Sequence, residues 1–284
     1  EDIAKRTRGV LSGCENHGKV EGDINAGGIA GTMNVEYDID PELDMNFSGL
    51  TDVEVRATTN AVLISCKNYG TVTGKKNTCG GMTGSENLGL ISGCENYGTI
   101  RLENGNCLGG IAGHSDSRID KSSSLCNLEG RSRIGGIAGE GYDISRCLAM
   151  VTVLGDAEEM VGSIAGTINE EGTLSDNYFV KNAWGGVDQV NYAGKAESCT
   201  YEEIMQKENV PEGFTQVTVT FEMDGETLKT MQVPYGGTIT QEDAPGIKAE
   251  EDSYLKWDQV FPVTHVTSNL TVTAENKRWT KSLA

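Results

Sequence analysis

Gly80-Gly81-Met82-Thr83-Gly84 and Gly109-Gly110-Ile111-Ala112-Gly113 are two copies of one phrase. It returns as Gly27-Gly28-Ile29-Ala30-Gly31, Gly135-Gly136-Ile137-Ala138-Gly139 and Gly162-Ser163-Ile164-Ala165-Gly166. The copies start at 27, 80, 109, 135 and 162, so the spacings are 53, 29, 26 and 27 residues. A recurrence in the twenties is the mark of a stacked-repeat architecture. The first spacing is close to two ordinary ones and reads as a repeat in which one unit has diverged. Within each phrase the Ile or Met is expected to point inward. The other side carries only Gly, Ala, Ser or Thr, so something must pack closely there.

A second alignment runs through the cysteines. Leu11-Ser-Gly-Cys-Glu-Asn-His-Gly-Lys-Val20 matches Leu63-Ile-Ser-Cys-Lys-Asn-Tyr-Gly-Thr-Val72 and Ile91-Ser-Gly-Cys-Glu-Asn-Tyr-Gly-Thr-Ile100. Each holds a short alternating run, an Asn-aromatic-Gly corner and a second short run, a pattern of strands between turns. With the glycine phrase as a third short segment, the unit reads as one coil of a parallel β-solenoid (β-helix) of about 26 residues. Coils of this kind pair their backbones at about 4.8 Å. Asn16, Asn68 and Asn96 then fall at one corner and stack as an Asn ladder. Cys14, Cys66, Cys94 and Cys147 share one ladder position, where a cysteine behaves as a small buried hydrophobe. The eight cysteines therefore read as free buried thiols. Cys79 and Cys107, beside neighbouring glycine corners, are the pair most open to a disulfide, and Cys199 falls outside the ladder.

The 37 glycines, about 13% of 284 residues, recur in register and so mark corners. A formal net charge of −19 disfavours nucleic acid and anionic membrane surfaces and suits a soluble, exposed protein that attracts divalent cations. No apolar run approaches the ~20 residues of a membrane helix, so direct insertion is not expected. No leader pattern precedes the first repeat, and the sequence reads as a mature or excised piece.

Two coils look decayed. Residues 32–60 hold the acidic run from Asn34 to Asp44, an excursion, and residues 167–195 look like an aromatic coil that caps the stack. Thr200-Tyr-Glu-Glu203 has capping-box form before a short helix. From Phe214 the pattern alternates strictly, with Val217, Val219, Phe221 and Met223 on one face. Asp224-Gly225 is a hairpin turn and Thr227 to Val233 the return strand. Tyr254 to Trp257 and Leu270 to Thr273 supply two more strands. The expected organisation is all-β: a solenoid over 1–210, a small β-grasp-like domain over 211–276, and a tail over 277–284.

Cys-x-Asn-Tyr-Gly-Thr-Val followed by Gly-Gly-Ile-Ala-Gly resembles the GLUG motif of bacterial surface proteins, which includes noncatalytic regions of IgA-specific metallopeptidases. The likeness covers most of residues 9–207. The C-terminal part is similar to the Listeria–Bacteroides surface repeat, a β-grasp-like module, through Val217-Thr-Val-Thr-Phe221, Val233-Pro-Tyr-Gly-Gly237, Trp257 and Leu270-Thr-Val272. It departs from that family at Asp252-Ser253-Tyr254, where a Gly-Tyr is usual. The resemblance implies an extracellular, cell-surface or wall-attached bacterial protein and names no ligand.

Candidate chemistry is sparse. His17, His114 and His265 fit no zinc spacing, and His17 takes the corner position of Tyr69 and Tyr97. Tyr69 and Tyr97 form either an aromatic platform for a sugar or a stack that steadies the corner. Asp116, Arg118, Asp120, Arg131, Arg133, Asp143 and Arg146 follow consecutive glycine phrases, so adjacent coils bring some of them together. Of these, Asp116 and Arg118 are the candidates for ligand contact. Converging carboxylates would suit a glycan-cleaving enzyme, whereas surface ion pairs are the plainer reading. Asp38, Asp40, Glu42 and Asp44 could hold calcium through oxygen ligands, although the EF-hand glycine and terminal glutamate are missing. The function expected is noncatalytic: an adhesin or display stalk, acting as a monomer, that meets a host protein or glycan. The alternatives are a noncatalytic part of a larger secreted metallopeptidase and a glycan-cleaving β-helix enzyme.

Overall fold

The structure, a computed structural model, describes residues 3–34, 55–157, 159–247, 249 and 253–279. The chain divides into two compact units, Glu1–Val210 and Pro211–Ala284. It is nearly all β, with parallel sheets, one of which curls into a half-barrel.

In the first unit, like positions of successive repeats lie side by side. Val10-Leu11 pairs with Val62-Leu63, and the same row continues through Leu90-Ile91 and Arg118-Ile119 to Asp143-Ile144. A second row runs from Val20 through Val72 and Ile100 to Leu128. All these pairings are parallel. The first repeat pairs directly with the one 52 to 53 residues later: Glu15-Asn16 lies on Lys67-Asn68, and Ala30 on Thr83. The expectation of a diverged coil inside the first spacing is therefore corrected, because no coil stands between these strands. Part of that spacing, residues 35–54, lies outside the described residues.

The glycine phrase is also not the third strand expected of it. It is the corner between two strands, as between Cys107–Gly109 and Ala112–Ser115. One core gathers Met82, Ile111, Ile137 and Ile164 with Leu63, Ile91, Ile119 and Ile144; Ile29 packs against it half-buried. A separate core holds Val72, Ile100, Leu128, Leu108, Ile134 and Val161. Leu108 and Ile111, three residues apart, thus serve different cores.

What packs closely on the small residues is now visible. A Cβ on Gly109 would lie 1.8 Å from the Ala112 carbonyl oxygen, inside the turn itself. A Cβ on Gly81 would lie 2.5 Å from Cγ of Asn96, and one on Gly28 would lie 2.7 Å from Oδ1 of Asn68. These two corners abut the Asn ladder of the following repeat, where glycine leaves the room, whereas the corners at Gly110 and Gly136 abut Ser124 and Ala149.

Toward the end of this unit Asn177–Val180 lies on Leu148-Ala149, and Ala196–Cys199 on Asn177–Val180, both in parallel. Gly186 accepts the Ile164 and Ala165 amides. The helix Tyr201–Ile204 has the expected capping box, Thr200 and Glu203 bonding each other's backbone, and buries Ile204. No helix among the described residues is long and apolar enough to cross a membrane.

In the second unit, four strands form one sheet. Gln216–Met223 lies between Glu226–Pro234, antiparallel, and Leu270–Arg278, parallel, with Ser253–Trp257 at the far edge. Val217, Val219 and Phe221 are buried as their alternation requires. Asp224 and Gly225 both take positive φ, +53° and +81°, as a tight hairpin turn demands. Gly237–Ile239 and Val263–Val266 form a further pair that the sequence did not suggest. The strand ending at Arg278 pairs Lys277 with Tyr254 and Arg278 with Ser253, so the first two residues of the expected tail belong to the sheet.

Candidate functional site

The Asn-aromatic-Gly corner builds two parallel rows. Asn16 Nδ2 donates to Asn68 Oδ1 at 2.7 Å, and Asn68 Nδ2 to Asn96 Oδ1 at 2.8 Å. Each Asn Nδ2 also donates to the carbonyl two residues on, at Gly18, Gly70 and Gly98. Asn68 and Asn96 are fully buried. Both groups of Asn68 are therefore committed, and Asn68→Ala strands one partner above and one below. Loss of roughly 2–4 kcal/mol is expected. Urea unfolding checks it, and a loss under about 0.5 kcal/mol would deny the ladder its role.

Beside the amides, the His17 ring stacks on Tyr69 at 4.7 Å and 9°, and Tyr69 on Tyr97 at 5.3 Å and 11°. Tyr69 thus has a neighbour on each ring face. A sugar stacks on a free aromatic face, and Tyr69 offers an edge only. Tyr97 is 8% exposed, with its hydroxyl donating to Glu95 at 2.7 Å. The three rings stack along the corner, with Tyr69 between the other two. Burial pushes the Tyr69 phenol above its usual range, and the Glu95 carboxylate holding Lys67 at 3.0 Å raises the lysine.

Several of the loop charges after the glycine phrases have partners. Arg146 clamps Asp120 through two bonds of 2.8 and 2.7 Å, with the Ser145 hydroxyl as a third donor. Arg133 lies 3.5 Å from Glu140, and Asp143 accepts from the Thr173 amide and hydroxyl. Asp116 is exposed and sits 3.0 Å from His114 Nε2. Arg118 is exposed in the strand Arg118–Asp120, in register with Leu90 and Asp143. The four proposed calcium ligands, Asp38, Asp40, Glu42 and Asp44, lie outside the described residues. No group of three or more His, Cys, Asp or Glu suited to a metal ion occurs among the described residues.

All eight cysteines are free, Cys14 half-buried and the rest buried. Burial pushes Cys79, Cys94, Cys126 and Cys147 up to about 12 and Cys107 to about 11, so these thiols stay protonated and inert. Cys107 pairs with Thr78 and Cys79 with Leu108, one register step apart on opposite faces, which rules out the bridge the sequence left open. The shared cysteine position is filled by Ser122 and Asn177 in two coils, where Ser122 Oγ accepts the Cys94 amide and Asn177 Oδ1 that of Cys147.

One buried acid went unnoticed in the sequence. Glu86 stands in the register between Met33 and Ser115, fully buried. Ser115 Oγ donates to Oε2 at 2.6 Å, and Oε1 has no hydrogen-bond partner among the described residues. Burial pushes this carboxyl up to about 8, against the pull of the Ser115 bond.

A groove of about 560 Å³ is lined by Thr73, Arg101, Glu103, Glu129, Arg131, Leu154 and Asp156, among others. Thr73, Arg101 and Glu129 are the outward row of the strands whose inward row is Val72, Ile100 and Leu128. Arg101 Nε donates to Glu129 at 2.8 Å across one coil step. Of these residues the sequence had singled out only Arg131. The signal was the polar residue after each buried aliphatic, visible only once the coils are aligned. Compared with known proteins, the chain matches no family model, no curated protein and no solved structure.

Proposed function

We propose that this chain is a noncatalytic bacterial surface protein, an adhesin or display stalk. On this reading residues 1–210 form a parallel β-solenoid of the GLUG type, and the second unit is a β-grasp-like surface module. The protein works outside the cell, secreted or attached to the wall, as a monomer that meets a host protein or glycan. The observation that carries this reading is the division of labour between the recurring and the variable residues. From its second copy on the recurring phrase is buried, as are the corner residues Asn68 and Asn96. The variable segments rise beside the row Thr73, Arg101 and Glu129 and form the groove. Its size lies in the range of small-ligand clefts. Its guanidinium and carboxylate groups offer the fixed donors and acceptors that sugar hydroxyls take. The pairing of Arg146 with Asp120 also favours a scaffold, since it braces adjacent repeats, and Arg133 with Glu140 ties the two strands of one corner.

The full chain on glycan and extracellular-protein arrays tests this. Binding is expected, and Arg101→Ala with Arg131→Ala should weaken it at least tenfold, about 1.4 kcal/mol. Tyr69→Ala should leave affinity within twofold, because its ring faces are already occupied. Silence on broad arrays, or full binding by the groove variant, would overturn the reading.

A further inference from the structure

Cys14 and Cys66 face the same core from adjacent coils. Glu15 and Lys67 are parallel partners, and the Lys67 amide donates to the Cys14 carbonyl at 2.8 Å. The cysteines one residue earlier therefore stand opposite each other, at the ~4.8 Å separation of neighbouring strands. That falls within the Cα separation a disulfide spans. Cys66 Sγ reaches the Leu11 and Ile64 carbonyls at 3.6 and 3.5 Å, and Cys14 Sγ reaches Ser12 at 3.9 Å. Cys94 repeats the arrangement one coil further on, with contacts to Leu63 and Ser92. Access separates the three. Cys66 and Cys94 are sealed at 0% exposure, whereas Cys14 is half-buried. Its strands end both ladders among the described strands.

We propose that Cys14 and Cys66 are a redox-controlled pair that closes to a disulfide under peroxide, joining the first coil to the second. Cys14, the sulfur that solvent reaches, attacks one peroxide oxygen. The O–O bond breaks, hydroxide leaves and takes up a proton as water, and Cys14 becomes a sulfenic acid. Cys66 sulfur then attacks Cys14 sulfur, and the S–O bond breaks. The departing hydroxide takes the Cys66 thiol proton and leaves as a second water. Two thiols are oxidised to one disulfide, and one hydrogen peroxide is reduced to two waters. The bond would link positions 52 residues apart in the sequence, and closing so long a stretch of chain raises stability more than closing a short one.

The test treats the reduced full chain with hydrogen peroxide, blocks remaining thiols after unfolding, and maps peptides without reduction. A single Cys14–Cys66 linkage is expected, with a rise in Tm that a dithiol reductant reverses. Cys66→Ala should instead leave Cys14 as a sulfenic acid that a dimedone probe captures. Cys14→Ser should fold with the Tm of the reduced parent and form no linkage. Cys14 driven to sulfinic acid beside a free Cys66, linkage of Cys66 to Cys94, or eight unreacted thiols would each overturn the proposal.

Discussion

Glu86→Gln removes a loss of stability that the native chain suffers as pH rises from about 5 to about 8. The folded state holds the Glu86 proton up to about 8, whereas an unfolded chain releases it near 4.5. Between those values the folded state binds more protons, so raising pH favours unfolding by about 1.4 kcal/mol per unit. The stabilising contribution is fully present below the unfolded value and gone above the folded one. Summed over that window, the cost is several kcal/mol at pH 8, a large part of a typical folding free energy. Glutamine keeps an acceptor for Ser115 and has nothing to titrate. Its stability should exceed that of the parent by several kcal/mol at pH 8. The advantage should shrink steadily toward pH 5. Glu86→Met should behave in the same way, since Met33 fills this ladder position one coil earlier. Denaturant unfolding of parent and variant across this range checks it. Parallel pH profiles would show that Glu86 is charged or solvated in the folded chain.

Gly81→Ala should abolish the first unit's fold, or cost more than about 4 kcal/mol. The added methyl would sit 2.2 Å from the Gly110 carbonyl oxygen, 2.5 Å from Asn96 Cγ and 2.7 Å from Asn96 Nδ2. None of these can yield cheaply. The Gly81 amide donates to Gly109, Gly110 donates to Gly135, and Asn96 is tied to Asn68 and to Gly98. Relief would require breaking the ladder on both sides, the kind of overpacking that cores do not absorb. Gly9→Ala is the control, because its Cβ would meet nothing within 4 Å. Circular dichroism and gel filtration separate the two variants. A Gly81→Ala protein within about 1 kcal/mol of the parent would mean that the corner and the Asn ladder do not touch.

The recurrence of Cys, Asn and an aromatic at one offset made the lateral pairing legible, because identical positions in parallel register must stack. The Asn row and the Ile or Met of each phrase follow from that rule alone. The same rule failed at the first spacing, where length suggested an extra coil and Leu11 lies directly on Leu63. Length does not distinguish an inserted coil from an excursion. Small residues announced a close approach at Gly81 without naming Asn96 as the neighbour, since glycine records only missing volume. Leu108 and Ile111 look like one apolar run, and the turn between them sends each to its own core. Tyr69 was recognisable as a corner aromatic. Whether its faces were free depended on His17 and Tyr97 lying within stacking distance. Glu86 was invisible because Thr83 to Asn87 reads as a polar stretch, although its strand is wholly buried. The groove was hidden for the opposite reason: Arg101 and Glu129 are ordinary surface residues until coil pairing sets them side by side.

The central claim is that successive repeats stack in parallel register, so that like residues touch only the coil before and the coil after. Nuclear Overhauser contacts in a sample with labelled Ile δ1 methyls test it most directly. The account predicts one chain of cross-peaks joining Ile91, Ile119 and Ile144, and a second joining Ile111, Ile137 and Ile164. Absence of both chains, with contacts only between isoleucines close in sequence, would contradict the stack.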